Sequence, residues 1–120
     1  VLEIPAKPWV VGWWRDGVGA GSDTGTAVLV AHLDSREYGV GPFARARDLR
    51  RGDRMTLTAG ADELTYEVAA VETYLKERLP YERLFDQSGP PRVVLVTCGG
   101  EYRRDAGGWD SNVVVTFTPV

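Results

Sequence analysis

Among 120 residues there is one cysteine, Cys98, and one histidine, His32. A thiol becomes a strong nucleophile as thiolate, and a neutral imidazole can take the thiol proton and return it to a leaving amine. Cys98 closes the apolar run Arg92–Cys98 and is followed by Gly99 and Gly100, small residues that leave backbone open to an approaching substrate. His32 closes a second apolar run, Ala27–Ala31, and is followed by Leu33 and Asp34, an acid able to orient or electrostatically support it. Each residue has a plainer reading. Free cysteine is often packing, and a histidine at a strand end is often a surface group. Residue chemistry alone leaves the pair open between these readings.

The runs that carry the pair read as strands. Val28, Val30 and His32 alternate with Leu29 and Ala31, as in a largely buried strand. Met55 and Leu57 alternate with polar residues, the turn Gly60–Asp62 follows, and Leu64, Tyr66 and Val68 resume the alternation, which predicts a hairpin. Asn112–Phe117 predicts a last strand around Val113–Val115. Helix is scarce: Pro42 can start a short one running to Leu49, with Gly52 to stop it, and Pro80–Phe85 can hold one more turn. The segments Gly17–Gly25 and Gly99–Gly108 read as glycine-rich loops. The expectation is a single domain, 1–120, of mostly β class, a closed or nearly closed barrel with one or two short helices.

Composition narrows the function. The net charge is −3, with arginines interleaved among acids, so no basic footprint for nucleic acid appears. A lone cysteine excludes an internal disulfide and any multi-thiolate metal site, and Glu3, Glu63 and Glu67 form no ligand spacing, so no metal and no cofactor are expected. The apolar runs are far shorter than the roughly 20 residues of a membrane span. A chain beginning at Val1 reads as an excised or processed domain, with any membrane anchor expected outside it. Trp9, Trp13 and Trp14 form an aromatic cluster that could bind substrate or sugar.

Several of these segments resemble one family. Leu95-Val96-Thr97-Cys98 is similar to the strand signature of the sortases, in which Thr-Cys ends a hydrophobic strand, and Ala31-His32-Leu33-Asp34 resembles the Gly-His-x-Asp segment of the actinobacterial sortases called class F, with alanine in place of glycine. Gly12-Trp13-Trp14, Gly21-Ser22, Gly25-Thr26, Gly41-Pro42-Phe43 with Leu49, Gly52 and Asp53, Cys98-Gly99-Gly100 and Asn112-Val113-Val114-Val115 follow in family-like order. His32 and Cys98 stand 66 positions apart, compatible with neighbouring strands in that fold.

The resemblance implies a sortase-type β-barrel, here expected to lack its first strands, upstream of Leu2, with Trp9, Trp13 and Trp14 packed over the barrel in preference to binding substrate. It also implies a cysteine transpeptidase of the Gram-positive cell surface. Cys98 would attack the Thr–Gly bond of a Leu-Pro-x-Thr-Gly-like sorting signal, and His32 would protonate the leaving amine. A peptidoglycan precursor or pilin lysine would then resolve the thioester, all on the extracellular face of the membrane. Thr97 would shape the substrate groove. The family's catalytic arginine, near the start of the final strand, has no counterpart in Trp109-Asp110-Ser111-Asn112. Arg103 and Arg104 are the candidates after Cys98, Arg104 being preferred, and Asn112 can supply an amide donor instead. Two other readings stand beside this one: a Cys/His peptidase without transfer, and a non-enzymatic β-barrel binding module with a structural Cys98.

Overall fold

The computed structural model describes residues 12–13, 19, 24–31, 34–35, 39–40, 46, 48–59, 61–103 and 108–120. It is mostly β, as the sequence predicts. The strands are β1 (Gly12–Trp13), β2 (Thr26–Val30), β3 (Asp34–Ser35), β4 (Gly39–Val40), β5 (Arg54–Ala59), β6 (Asp62–Leu75), β7 (Arg92–Arg103) and β8 (Gly108–Pro119). Six of them form one curled half-barrel sheet in the order β1-β2-β7-β8-β6-β5, and β3 pairs with β4 separately. The short β1 and the six-residue β5 are the sheet's edges among the described residues.

The three central strands are apolar on both faces, which is why they read as continuous runs. One face carries the main core: Ala27, Ala31, Val93, Leu95, Val113, Val115 and Phe117, with Tyr66 and Val68 from β6. The other carries Val94 and Val114, covered by Leu84 with Leu79 and Phe85 around it. Leu84 sits on a single helical turn, α1 (Tyr81–Leu84), inside the predicted Pro80–Phe85 segment. A 3-10 turn at Lys76–Arg78 leads into it. The predicted Pro42–Leu49 helix falls largely outside the described residues; Ala46 and Asp48 have 3-10 conformation, and Leu49 N–H donates to the Ala46 carbonyl at 3.2 Å.

The hairpin of β5 and β6 forms as read, with Leu57 opposite Leu64 and Met55 opposite Tyr66. Strand β6 then runs seven residues past Val68, where the sequence alternation stops. The cause is a bulge: Val68 faces Phe117 but Ala70 faces Thr116, so Ala69 is extra and Val71, not residue 70, comes opposite Val115. The period-2 pattern breaks although the strand does not.

Strands β2 and β7 run parallel, joined by a long crossover through β5 and β6. Their starting ends are locked through the segment after α1. Arg92 N–H donates to the Gly25 carbonyl at 3.1 Å, Gly25 N–H to Gly89 at 2.7 Å and Thr26 N–H to Asp86 at 2.9 Å. The Gln87 carboxamide bridges the carbonyls of Thr26 and Phe85 at 3.1 and 3.0 Å. Gly25 has φ +81°, and a Cβ there would lie 2.7 Å from the Gln87 carbonyl oxygen. Gly25→Ala is therefore expected to be strongly destabilising, and Leu84→Ala, which uncovers Val94 and Val114, to cost about 2–5 kcal/mol. Urea denaturation followed by tryptophan fluorescence checks both; a Leu84→Ala midpoint equal to the parent's would refute the covering role of α1.

Candidate functional site

The parallel register sets where the two chemistry-bearing runs end relative to each other. Thr26 pairs with Arg92, Ala27 with Val93, Val28 with Val94, Leu29 with Leu95 and Val30 with Val96. Partners are 66 positions apart throughout, the same separation as His32 and Cys98. Val30–Val96 is the last pair among the described residues, and the Ala31 N–H donating to the Val96 carbonyl at 3.2 Å completes it. His32 itself lies outside the described residues.

Cys98 belongs to β7, paired with Asn112 of β8. The sequence predicts that the strand ends there, and in this it is corrected. β7 continues through Gly99 and Gly100 to Arg103, and β8 begins at Gly108, so most of the expected glycine loop is strand. Glycine lowers strand propensity, but cross-strand pairing overrides it. The register does shift between Gly99 and Tyr102, so Cys98 is the last pair but one before the irregularity. Arg103 pairs with Gly108 at the far end of this hairpin; Arg104 lies outside the described residues.

Asn112 stands in a row with two partners, Cys98 on β7 and Tyr74 on β6. Its Nδ2 donates to the Thr97 carbonyl at 3.4 Å, a long bond, and the residue is half-buried. The direction is consistent with strand geometry: the Val96 carbonyl faces β2, so that of Thr97 faces β8. The Thr97 side chain follows Val93 and Leu95 into the main core, 2% exposed, and its hydroxyl has no hydrogen-bond partner among the described residues. Cover on the second face thins toward this row. Val94 and Val114 are fully buried, while Val96 and Asn112 are half-buried.

Tyr74 was not singled out by the sequence, and nothing in its spacing marks it. Its hydroxyl donates to Glu72 Oε2 at 2.7 Å and accepts from the Arg83 guanidinium, which also lies 3.6 Å from Glu72 Oε1. The hydrogen bond to Glu72, then burial, hold the Tyr74 hydroxyl above the usual tyrosine range. At the opposite end of β7 a cavity of about 260 Å³ is lined by Thr26, Arg83, Asp86, Pro91, Arg92 and Thr118 among others. There Arg92 is committed to Thr26 Oγ1 at 2.7 Å and to the Arg83 carbonyl. Asp86 accepts from Ser88 N–H at 2.9 Å and Oγ–H at 2.8 Å; these bonds hold its carboxyl below the usual range. Among the described residues no three His, Cys, Asp or Glu side chains gather as a metal ion would need.

The chain matches the family model of the sortase domain over residues 2–120. It belongs to the sortase family. Solved structures of similar fold include sortase C-1 from Actinomyces oris, at TM-score 0.73 and 22% identity, covering 92% of this chain and 56% of that one. Sortase C1 of Streptococcus agalactiae has TM-score 0.73 and 21% identity, covering 92% and 53%. The Clostridium perfringens sortase D5 transpeptidase has TM-score 0.70 and 14% identity, covering 92% and 61%. The chain thus spans between about half and three-fifths of the length of these proteins. No curated protein sequence matches it.

The Thr97 hydroxyl gives a prediction of its own. A buried hydroxyl without a partner contributes no net stability, so Thr97→Val should leave the unfolding free energy within about 1 kcal/mol of the parent or raise it. A loss beyond that, read by urea denaturation, would mean that the hydroxyl has a partner in the folded protein.

Proposed function

We propose that this sortase-family chain is a cysteine transpeptidase in which Cys98 is the nucleophile and His32 its proton-transfer partner. One observation carries the reading: the register of β2 on β7 has the same 66-residue offset as His32 and Cys98, and the ladder is paired to Val30, two residues before His32. Continued by two further steps, the same register would set His32 and Cys98 side by side on adjacent strands, which lie about 4.8 Å apart. Proximity of thiol and imidazole is what activation of the nucleophile requires.

The substrate proposed is a Leu-Pro-x-Thr-Gly-like sorting signal. The Cys98 thiolate adds to the threonine carbonyl, forming the C–S bond and an oxyanion. Collapse breaks the Thr–Gly bond, and the imidazolium of His32 protonates the departing glycine amine. The thioester left on Cys98 is then attacked by an amine of a peptidoglycan precursor or a pilin lysine. His32 removes that amine's proton, and the thiolate is released as the new amide forms. No cofactor or metal takes part. Thr97, its side chain in the main core, shapes the groove through its backbone beside Cys98, and Arg104 holds the substrate's carbonyl in place through its guanidinium. The reaction belongs at the extracellular face of the membrane, and the class F assignment rests on the Ala31–Asp34 and Cys98–Gly100 segments. The half-buried Val96 and Asn112, where cover thins, support substrate access at this level of the sheet.

Incubation with a Leu-Pro-x-Thr-Gly peptide tests this directly. Intact-mass measurement should show an adduct equal to the amino-terminal part of the peptide, dischargeable by hydroxylamine as the hydroxamate. Cys98→Ala and His32→Ala should each abolish cleavage with unchanged circular dichroism. Excess glycine peptide should divert product from hydrolysis to transfer; hydrolysis dominating at every amine concentration would establish a peptidase instead. No adduct, together with a Cys98 that resists alkylation in the native protein, would establish a binding module with a structural cysteine.

Arg104→Ala is expected to lower kcat/KM by about 10²-fold, with Arg103→Ala near the parent rate. Parent rates in both variants would remove Arg104 from the site.

A further inference from the structure

We infer that the side-chain amide of Asn112 donates a hydrogen bond to the oxyanion formed on Cys98, a role that rests on the transpeptidase reading above. Addition of a thiolate to a carbonyl places negative charge on oxygen, and a positioned donor at that oxygen is among the largest contributions to acyl transfer. Residues directly paired on neighbouring antiparallel strands share a face, with Cβ atoms about 4.5–5.5 Å apart. Asn112 is the residue so paired with Cys98.

Among the described residues, three other side-chain donors near that row are committed or turned away from it. The Tyr74 hydroxyl gives its proton to Glu72, a bond that also keeps it protonated beyond the usual range. Arg83 is held on Tyr74 and Glu72. The Thr97 hydroxyl is buried with the main core. Asn112 differs from all three. An amide nitrogen carries two N–H donors. One reaches the Thr97 carbonyl at 3.4 Å, a long bond that turns the carboxamide toward the backbone immediately before Cys98. The second N–H has no partner among the described residues, and the side chain is half-buried, so it is oriented without being sealed off. A neutral donor of this kind stabilises developing charge without altering the charge of the resting site.

The test separates a donor from a merely structural residue by comparing two reactions of Cys98. Acylation passes through an oxyanion; alkylation by iodoacetamide does not. Asn112→Ala and the isosteric, donor-free Asn112→Leu are compared with the parent, with folding checked by circular dichroism. Acylation is driven both by the sorting-signal peptide and by a p-nitrophenyl ester, which needs no sorting-signal recognition. Acylation by both donors should slow by about 100-fold in the two variants, in the maximal rate and not in KM, while alkylation stays at the parent rate. Parallel slowing of acylation and alkylation would overturn the donor role, because Asn112 would then act through the position or ionisation of the thiol. Unchanged acylation would overturn it outright. If the parent is acylated by the ester but not by the peptide, the sorting-signal reading falls while the ester arm still decides the role of Asn112. A parent Cys98 acylated by neither donor would overturn both.

Discussion

The parallel pairing of β2 with β7 is the constraint on which the rest of this molecule depends. It joins segments far apart in the chain, and it relates the histidine run directly to the cysteine run. Its register is set at the starting end, where Gly25, packed against Gln87, receives Arg92 N–H and donates to Gly89. A slip by one residue would turn every side chain of β2 to the opposite face. With Ala27, Val28 and Val30 all buried, neither face could accommodate that. The lock thus lies at one end of the strands and the proposed chemistry at the other, with five paired residues transmitting the register between them.

The second organising feature is unequal cover. The face bearing Val93, Leu95, Val113 and Val115 packs with Tyr66, Val68 and Phe117 of the curled sheet and with Ala46 and Leu49 from outside it. The opposite face depends on the short segment from Leu79 to Phe85, whose Leu84 seals Val94 and Val114. That segment is too short to cover the whole strand length. Burial therefore declines from Val94 to Val96 and from Val114 to Asn112, approaching the row of Cys98. A buried strand and an accessible reaction centre are reconciled in this way on one piece of backbone. The committed polar groups follow the same division, with Glu72, Tyr74 and Arg83 satisfying one another beside the cover.

Much of this was legible in the residues. The continuous apolar runs at Ala27–Ala31 and Arg92–Cys98 marked central strands because strands buried on both faces lose the period-2 signal. Alternation marked the β5–β6 hairpin because only one of its faces packs. The family segments around Cys98 led to the sortase fold, which the family match and the solved structures bear out. Class F membership was legible only as resemblance. The continuation of β7 through Gly99 and Gly100 was not legible, since glycine's local preference opposes it and pairing with β8 prevails. Nor was the length of β6, because the extra Ala69 shifts the pattern at the point where a reader would end the strand.

The sequence by itself determined the inventory: one thiol, one imidazole, no arginine at the start of the last strand, and apolar runs that end on Cys98 and His32. These are matters of residue type and local periodicity, which survive without knowledge of neighbours. Only the tertiary structure decided that β2 and β7 are parallel with a constant offset of 66, and that Asn112 is paired with Cys98 while its amide rests on the Thr97 carbonyl. It also decided that the hydroxyl of Tyr74 is spent on Glu72. Register between distant strands depends on which faces are buried and where a turn locks the ends, and those are properties of the assembled sheet that no single segment encodes.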